Sequence, residues 1–228
     1  MLHKLKPDFN IELIFKRVKK MLKKTLVLAL LAVSSASFAG NWQVKVGGSV
    51  LAPTENHNTL ANGLVTDAKV DNGYSFTPSI EYFFNDTGLS AELLLATPFK
   101  HDVTARVAGG ATQKIAEFKH LPPTLTAKYN FKNSTGFTPY IGAGLTVAIP
   151  FQEHTAGAIE GSKLKAETAY GAAGQVGFTF APADAKNWSV FFDTRYARVE
   201  SDLKLDGQKI GTLKINPWVY TAGFAYRF

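Results

Sequence analysis

The chain contains no cysteine, which removes disulfide frameworks, thiolate metal sites and cysteine nucleophiles from consideration. It is also poor in charge. Only 19% of its 228 residues are Asp, Glu, Lys or Arg, against roughly 25% in soluble domains. No stretch in the body of the chain reaches the roughly 20 consecutive apolar residues that a membrane-spanning helix needs, and helical periodicity is missing there too. The formal net charge of +7 would ordinarily point to an acidic partner, but its distribution says otherwise. Residues 1–39 hold eight Lys/Arg and two Asp/Glu, so 17 of the 25 basic and 16 of the 18 acidic residues lie in 40–228, a balance near +1. No basic stripe remains, and nucleic-acid binding is excluded.

What the front end does hold reads as an export signal. From Met21, Lys23 and Lys24 form a basic start and Leu26 to Val33 an apolar run. Ser37-Phe38-Ala39 then presents small residues where a signal peptidase reads, with cleavage expected between Ala39 and Gly40. The expected organisation is therefore an upstream extension or mis-assigned start over 1–20, a secretory signal peptide over 21–39, and an exported body over 40–228. The body has no methionine, since the chain's two lie at Met1 and Met21.

In the body, segments of about ten residues alternate apolar with polar or small side chains, the period of half-buried strands. Eight are expected. They are marked by Trp42 to Val50, Tyr74 to Phe84, Leu89 to Leu95, Leu125 to Phe131, Phe137 to Ile149, Tyr170 to Phe180, Trp188 to Tyr196 and Trp218 to Phe228. Short turns at 85–88, 132–136 and 182–187 alternate with long polar connections at 53–72, 99–119, 150–167 and 201–212. An even strand number with short turns on one side and long loops on the other describes an all-β, eight-stranded antiparallel transmembrane barrel. Its short turns would be periplasmic and its long loops extracellular. The face rich in aromatic rings, clustered near strand ends, suits lipid and its interfaces. The opposite face carries Gln43, Lys45, Ser49, Glu81, Glu92, Lys128, Asp193, Arg195 and Arg227, which belong inside.

Several runs resemble the outer membrane protein W (OmpW) family. They are Ile80-Glu-Tyr-Phe-Phe84, Ala91-Glu-Leu-Leu-Leu-Ala-Thr-Pro-Phe-Lys-His-Asp102, Lys119-His-Leu-Pro-Pro-Thr-Leu-Thr-Ala127, Pro139-Tyr-Ile-Gly-Ala-Gly144, Gly171-Ala-Ala-Gly-Gln-Val-Gly177 and Asn216-Pro-Trp-Val-Tyr220. The resemblance spans essentially all of 40–228, with the motifs in order. It implies an integral outer-membrane barrel of a Gram-negative cell, with a narrow hydrophobic passage for small apolar molecules. Leu94 and Tyr170 match family positions that line the passage. Phe224, Tyr226 and Phe228 look like the terminal signal read by the outer-membrane insertion machinery. Outer-membrane lipid, lipopolysaccharide and small apolar compounds are the expected surroundings and partners.

Counting from the short turns places Lys45, Glu81, Glu92, Lys128, Asp193, Arg195 and Arg227 in the periplasmic half of one small barrel. Eight strands leave room only for side chains, so these charges are expected to pair and plug the lumen. Above them the inward face turns apolar or small, with Leu94 and Ala96 lining a passage. Ala143, Leu145 and Val147 would join them if Tyr140 and Gly142 face out. An inward Tyr170 requires a bulge within Gly171–Gly177. Leu94 reads equally as core filling or as a ligand contact. Pro98, Pro122 and Pro123 remove ladder donors, which either opens the wall sideways or simply ends strands at loop bases.

Other chemistry has little support. His57, His101, His120 and His154 lie in or beside loops and read as solvated. His101 and His120 bracket one loop, a weak hint of a metal pair. No strand carries a mid-strand histidine for a hydrolase, and no Gly-Lys-Ser/Thr follows a glycine run. No cofactor, metal or enzymatic site is expected. Two functions remain beside apolar transport: a closed structural or adhesion/receptor barrel, and a small ion-conducting channel.

Overall fold

In the computed structural model, residues 40–55 and 57–228 are described. The expectations for 1–20, the signal peptide and Ala39 lie outside these residues. The first strands are β1 (Trp42–Ala52), β2 (Asn58–Leu60), β3 (Val65–Val70), β4 (Gly73–Phe83) and β5 (Leu89–Leu94). Next come β6 (Phe99–Val107), β7 (Thr112–Leu121), β8 (Thr124–Asn130), β9 (Phe137–Thr155) and β10 (Leu164–Ala166). The last are β11 (Ala169–Phe180), β12 (Trp188–Ala197), β13 (Glu200–Leu205), β14 (Gln208–Lys214) and β15 (Trp218–Arg227).

Eight of them close into an antiparallel barrel in the order β9-β11-β12-β15-β1-β4-β5-β8, with β8 pairing back onto β9. They are the eight segments expected from alternation. Closure matters because a bilayer offers no partner to a free strand edge, and a closed ladder satisfies every backbone group internally. No helix among the described residues is long and apolar enough to cross a membrane; here strands cross.

Tyr74, Leu125, Ile141, Leu145 and Phe224 stand exposed on the outer face. Near the short turns the outward rings meet in pairs. Trp42 lies 4.8 Å from Tyr82, Tyr129 5.0 Å from Phe131 and Trp188 4.9 Å from Tyr226. Toward the other end Tyr196 lies 5.1 Å from Trp218. These two belts suit the two interfaces of an outer membrane. The terminal rings Phe224, Tyr226 and Phe228 sit in or beside β15, Tyr226 and Phe228 5.1 Å apart.

The long connections are not irregular. β3, β6, β7 and the upper half of β9 continue the wall beyond the barrel, pairing β3–β6, β6–β7 and β7–β9. A second sheet, β10-β13-β14, stands beside them. They enclose an apolar core containing Leu60, Val65, Val103, Ile115, Phe118, Leu203, Leu213 and Ile215. These strands read as polar loops in sequence because their outer face meets water rather than lipid, so every second residue is charged or polar.

Candidate functional site

The barrel interior begins with the inward residues of β1, β4, β5, β8 and β12. Lys45, Glu81, Glu92, Lys128, Asp193 and Arg195 are all buried. Lys45 Nζ lies 2.5 Å from Glu81 Oε2 and 3.3 Å from Glu92 Oε2. Lys128 Nζ lies 2.9 Å from Glu81 Oε1 and 3.0 Å from Glu92 Oε2. Arg195 Nη2 reaches Glu92 Oε1 and Asp193 Oδ2, both at 3.0 Å. Ser79 Oγ donates to Glu92 at 2.7 Å, and Gln175 Nε2 to Asp193 at 2.6 Å. Glu92 is the hub, bound by all three cations. Three positive and three negative charges thus form one neutral, hydrogen-bonded cluster in the barrel interior.

Arg227 does not belong to this cluster. It lies at the periplasmic mouth, 4.2 Å over the Phe83 ring, with Nε donating to the Gly40 carbonyl at 3.0 Å. One residue from the chain end, it sits below the level at which the interior charges meet.

Tyr140 fixes the parity of β9, and it faces inward. Its ring lies 3.7 Å from Lys128 Nζ, and its hydroxyl donates to Asp193 Oδ2 at 3.3 Å. Glycines make room: a Cβ on Gly142 would come within 2.9 Å of Lys128 Cγ, and one on Gly177 within 2.7 Å of the Tyr140 ring. The expectation for this strand is therefore reversed. Leu145 is 69% exposed on the outside with Ala143 and Val147, while Thr146 and Ala148 face in. The β9–β11 register runs without a break from Phe137↔Phe180 to Ala148↔Ala169. No bulge turns Tyr170 inward; it is 78% exposed, on the lipid-facing side.

Above the plug the inward residues lose their polarity. On β1 the series Lys45, Gly47, Ser49 ends in Leu51, and on β5 Glu92 is followed by Leu94. An apolar cavity of about 100 Å³ opens there. Leu51, Leu94, Phe99, Phe118, Val199 and Leu213 are among its walls, and Thr124, Thr146, Ala173 and Arg195 lie where it meets the barrel. Leu94 is buried and lines it, whereas Ala96 does not. Ala96 falls between β5 and β6, where the chain has left the ladder. Leu51 and Phe99 were missed in sequence, although Leu51 continues the inward parity of Lys45 and Ser49.

The wall has a seam at that level. The β5–β8 ladder ends at Leu94↔Thr124 and the β6–β7 ladder begins at Phe99↔His120. Between them, Leu95 and Thr97 donate to Pro78 and Phe76 on β4. Pro122 and Pro123 have no N–H, and the Pro123 carbonyl accepts from Val147 on β9 at 3.0 Å. Each side of the seam is bonded away from it. Among the described residues no backbone hydrogen bond joins 95–98 to 122–123.

His101 and His120 are not solvated. Both are buried in a cluster of rings with Phe99 and Phe118, their centroids 5.0 Å apart. His57 and His154 are exposed, beside Asp67 and the Gln152 carbonyl. Among the described residues no group of three or more His, Cys, Asp or Glu is placed to hold a metal. Burial, reinforced by neighbouring His101, pushes His120 down to about 3. Burial also lowers His101, against a 2.7 Å hydrogen bond with the Asp71 carbonyl. With folded values below the unfolded one, both histidines favour the fold above about pH 6.5 and oppose it as pH falls below that, His120 increasingly down to about pH 3. Each unit of pH in that window removes up to about 1.4 kcal/mol through His120. The β6–β7 amide signals should therefore broaden between pH 6.5 and 4.5 in NMR spectra of the lipid-embedded protein, and His120→Phe should blunt that change.

The model of the OmpW family matches residues 38–228. The chain belongs to the OmpW family. Among its OmpW relatives, outer membrane protein W of Escherichia coli (strain K12) is 33% identical, over 90% of this chain and all of that protein. Outer membrane protein W of Vibrio cholerae is likewise 33% identical, over 91% of this chain and all of that one. The crystal structure of OprG from Pseudomonas aeruginosa superposes with a TM-score of 0.71 at 26% identity, covering 83% of this chain and 96% of OprG. The solid-state NMR structure of AlkL in lipid bilayers shares the fold, with a TM-score of 0.60 at 21% identity over 85% of this chain and 93% of AlkL. As an OmpW-family barrel the protein is integral to the outer membrane, with lipid around its belts.

Proposed function

We propose that this barrel passes small apolar molecules from the cell exterior into the outer membrane, entering by the apolar cavity and leaving sideways through the seam. The carrying observation is the vertical change in the interior: an apolar cavity directly above a closed, neutral ion cluster. A solute that enters from the loop side meets no water-filled route through the plug. The nearest outlet is the unbonded wall at 95–98 and 122–123. Pro122 lines the cavity and forms part of that wall. Ion conduction is disfavoured by the pairing of all six plug charges. A purely structural or adhesion barrel is compatible with the plug but leaves the cavity and seam without a use. In this reading Leu94 is the cavity contact, Phe224, Tyr226 and Phe228 engage the insertion machinery, and lipopolysaccharide surrounds the upper wall.

The test is uptake of labelled naphthalene by cells with and without the protein, and with Pro122→Val/Pro123→Thr at matched surface abundance. The double change restores two donors at the seam. Expression should speed uptake several-fold, and the seam variant should lose most of that gain. Equal uptake in all three strains would reject the passage, and a fully active seam variant would reject the lateral exit.

A further inference from the structure

The cavity is not apolar throughout. Arg195 is 4% exposed and lines the end that meets the plug. Its Nη2 serves Glu92 and Asp193, but its Nε and Nη1 have no partner among the described residues. Higher in the wall, His120 Nδ1 also lacks a partner among the described residues, whereas the hydroxyls at the plug end are engaged. Thr124 Oγ1 donates to Thr146 Oγ1 at 2.9 Å, and Thr146 Oγ1 to the Pro123 carbonyl at 3.3 Å. The unpartnered acceptors Gln175 Oε1 and Asp193 Oδ1 belong to residues that do not line the cavity. A buried charged donor without an acceptor is costly, and this one sits where a ligand would end its descent.

We infer that the cavity binds uncharged amphiphiles, medium-chain ketones or esters, whose tail lies among Leu51, Leu94 and Phe99 while the carbonyl oxygen accepts from Nε and Nη1 of Arg195. This deepens the proposed passage and rests on it. Charge selects the head. The plug is already neutral, with Lys45, Lys128 and Arg195 against Glu81, Glu92 and Asp193. A carboxylate would add an unbalanced negative charge beside Glu92 and Asp193, whereas a carbonyl adds only acceptor lone pairs. The walls select the tail, since Leu51, Leu94 and Phe99 offer it only apolar surface.

The experiment uses the full protein in lipid nanodiscs with carbonyl-labelled 2-nonanone, nonane and nonanoate, empty nanodiscs correcting for partition into lipid. 2-Nonanone should bind saturably and about tenfold more tightly than nonane, as a hydrogen bond to a charged donor provides. Its carbonyl carbon should shift downfield on binding. Arg195→Lys keeps the charge for Glu92 and Asp193 but loses the planar fork. It should abolish the ketone's advantage over nonane. The comparison of the three ligands on the wild-type protein stands even if this variant fails to fold. Equal binding of ketone and nonane, or tightest binding by nonanoate, overturns the inference and leaves the passage intact. An undiminished ketone advantage in Arg195→Lys does the same. Saturable binding by none of the three overturns both.

Discussion

Glu92→Gln should destabilise the folded barrel by about 3–5 kcal/mol, the cost of breaking a buried ion network from one side. Glu92 contacts Lys45, Lys128 and Arg195 and accepts from Ser79. Its neutralisation leaves three cations facing two carboxylates inside a lumen too narrow for compensating solvent. The excess charge cannot leave, because the side chains come from β1, β4, β5, β8 and β12 and each is held by its strand. Pairing the change with Lys128→Met restores neutrality and should recover a substantial part of the loss, the signature of a coupled pair. Urea titration of the protein in lipid vesicles, followed by the gel mobility of folded against unfolded barrel, measures both. A single variant within about 1 kcal/mol of wild type would show that the charges do not hold the lumen shut.

That network also shows what was legible in the sequence. A strand turns each second side chain to the same face, so counting from the turns at 85–88 and 132–136 placed Glu81, Glu92 and Lys128 on one level. Six of the seven charges expected in the interior contact one another there. Parity failed where side chains offer no contrast. Along 140–148, small residues and glycines alternate with apolar ones, and nothing local says which set faces in. The answer is tertiary: the Tyr140 ring covers Lys128, and Gly177 on β11 leaves space for it. Tyr170 follows from the same ladder, whose unbroken register with Val147 holds it outside. The extension strands were hidden by their solvent. An apolar-polar alternation with lysine and glutamate on its outer face, as in β7, has the composition of a loop, and His101 and His120 read as wet for the same reason.

Leu94→Asp should abolish the protein-dependent part of apolar uptake. Leu94 is 6% exposed, pairs across the ladder with Ser79 and Thr124, and lies in the cavity wall just above the cluster. A carboxylate there replaces apolar surface in the cavity wall at the edge of the seam, and a hydrocarbon would have to displace its hydration. The carboxylate also adds an unbalanced negative charge beside the neutral cluster, so uptake is compared per folded barrel. Leu94→Ala separates packing from polarity. It destabilises by about 2–5 kcal/mol if the site cannot collapse, yet it widens an apolar route and should preserve or raise uptake. Surface abundance, read by the gel mobility of folded protein, must match among the three strains. If Leu94→Asp and Leu94→Ala lose uptake equally, Leu94 serves packing alone. If aspartate stops naphthalene while alanine passes it, the residue lines the route.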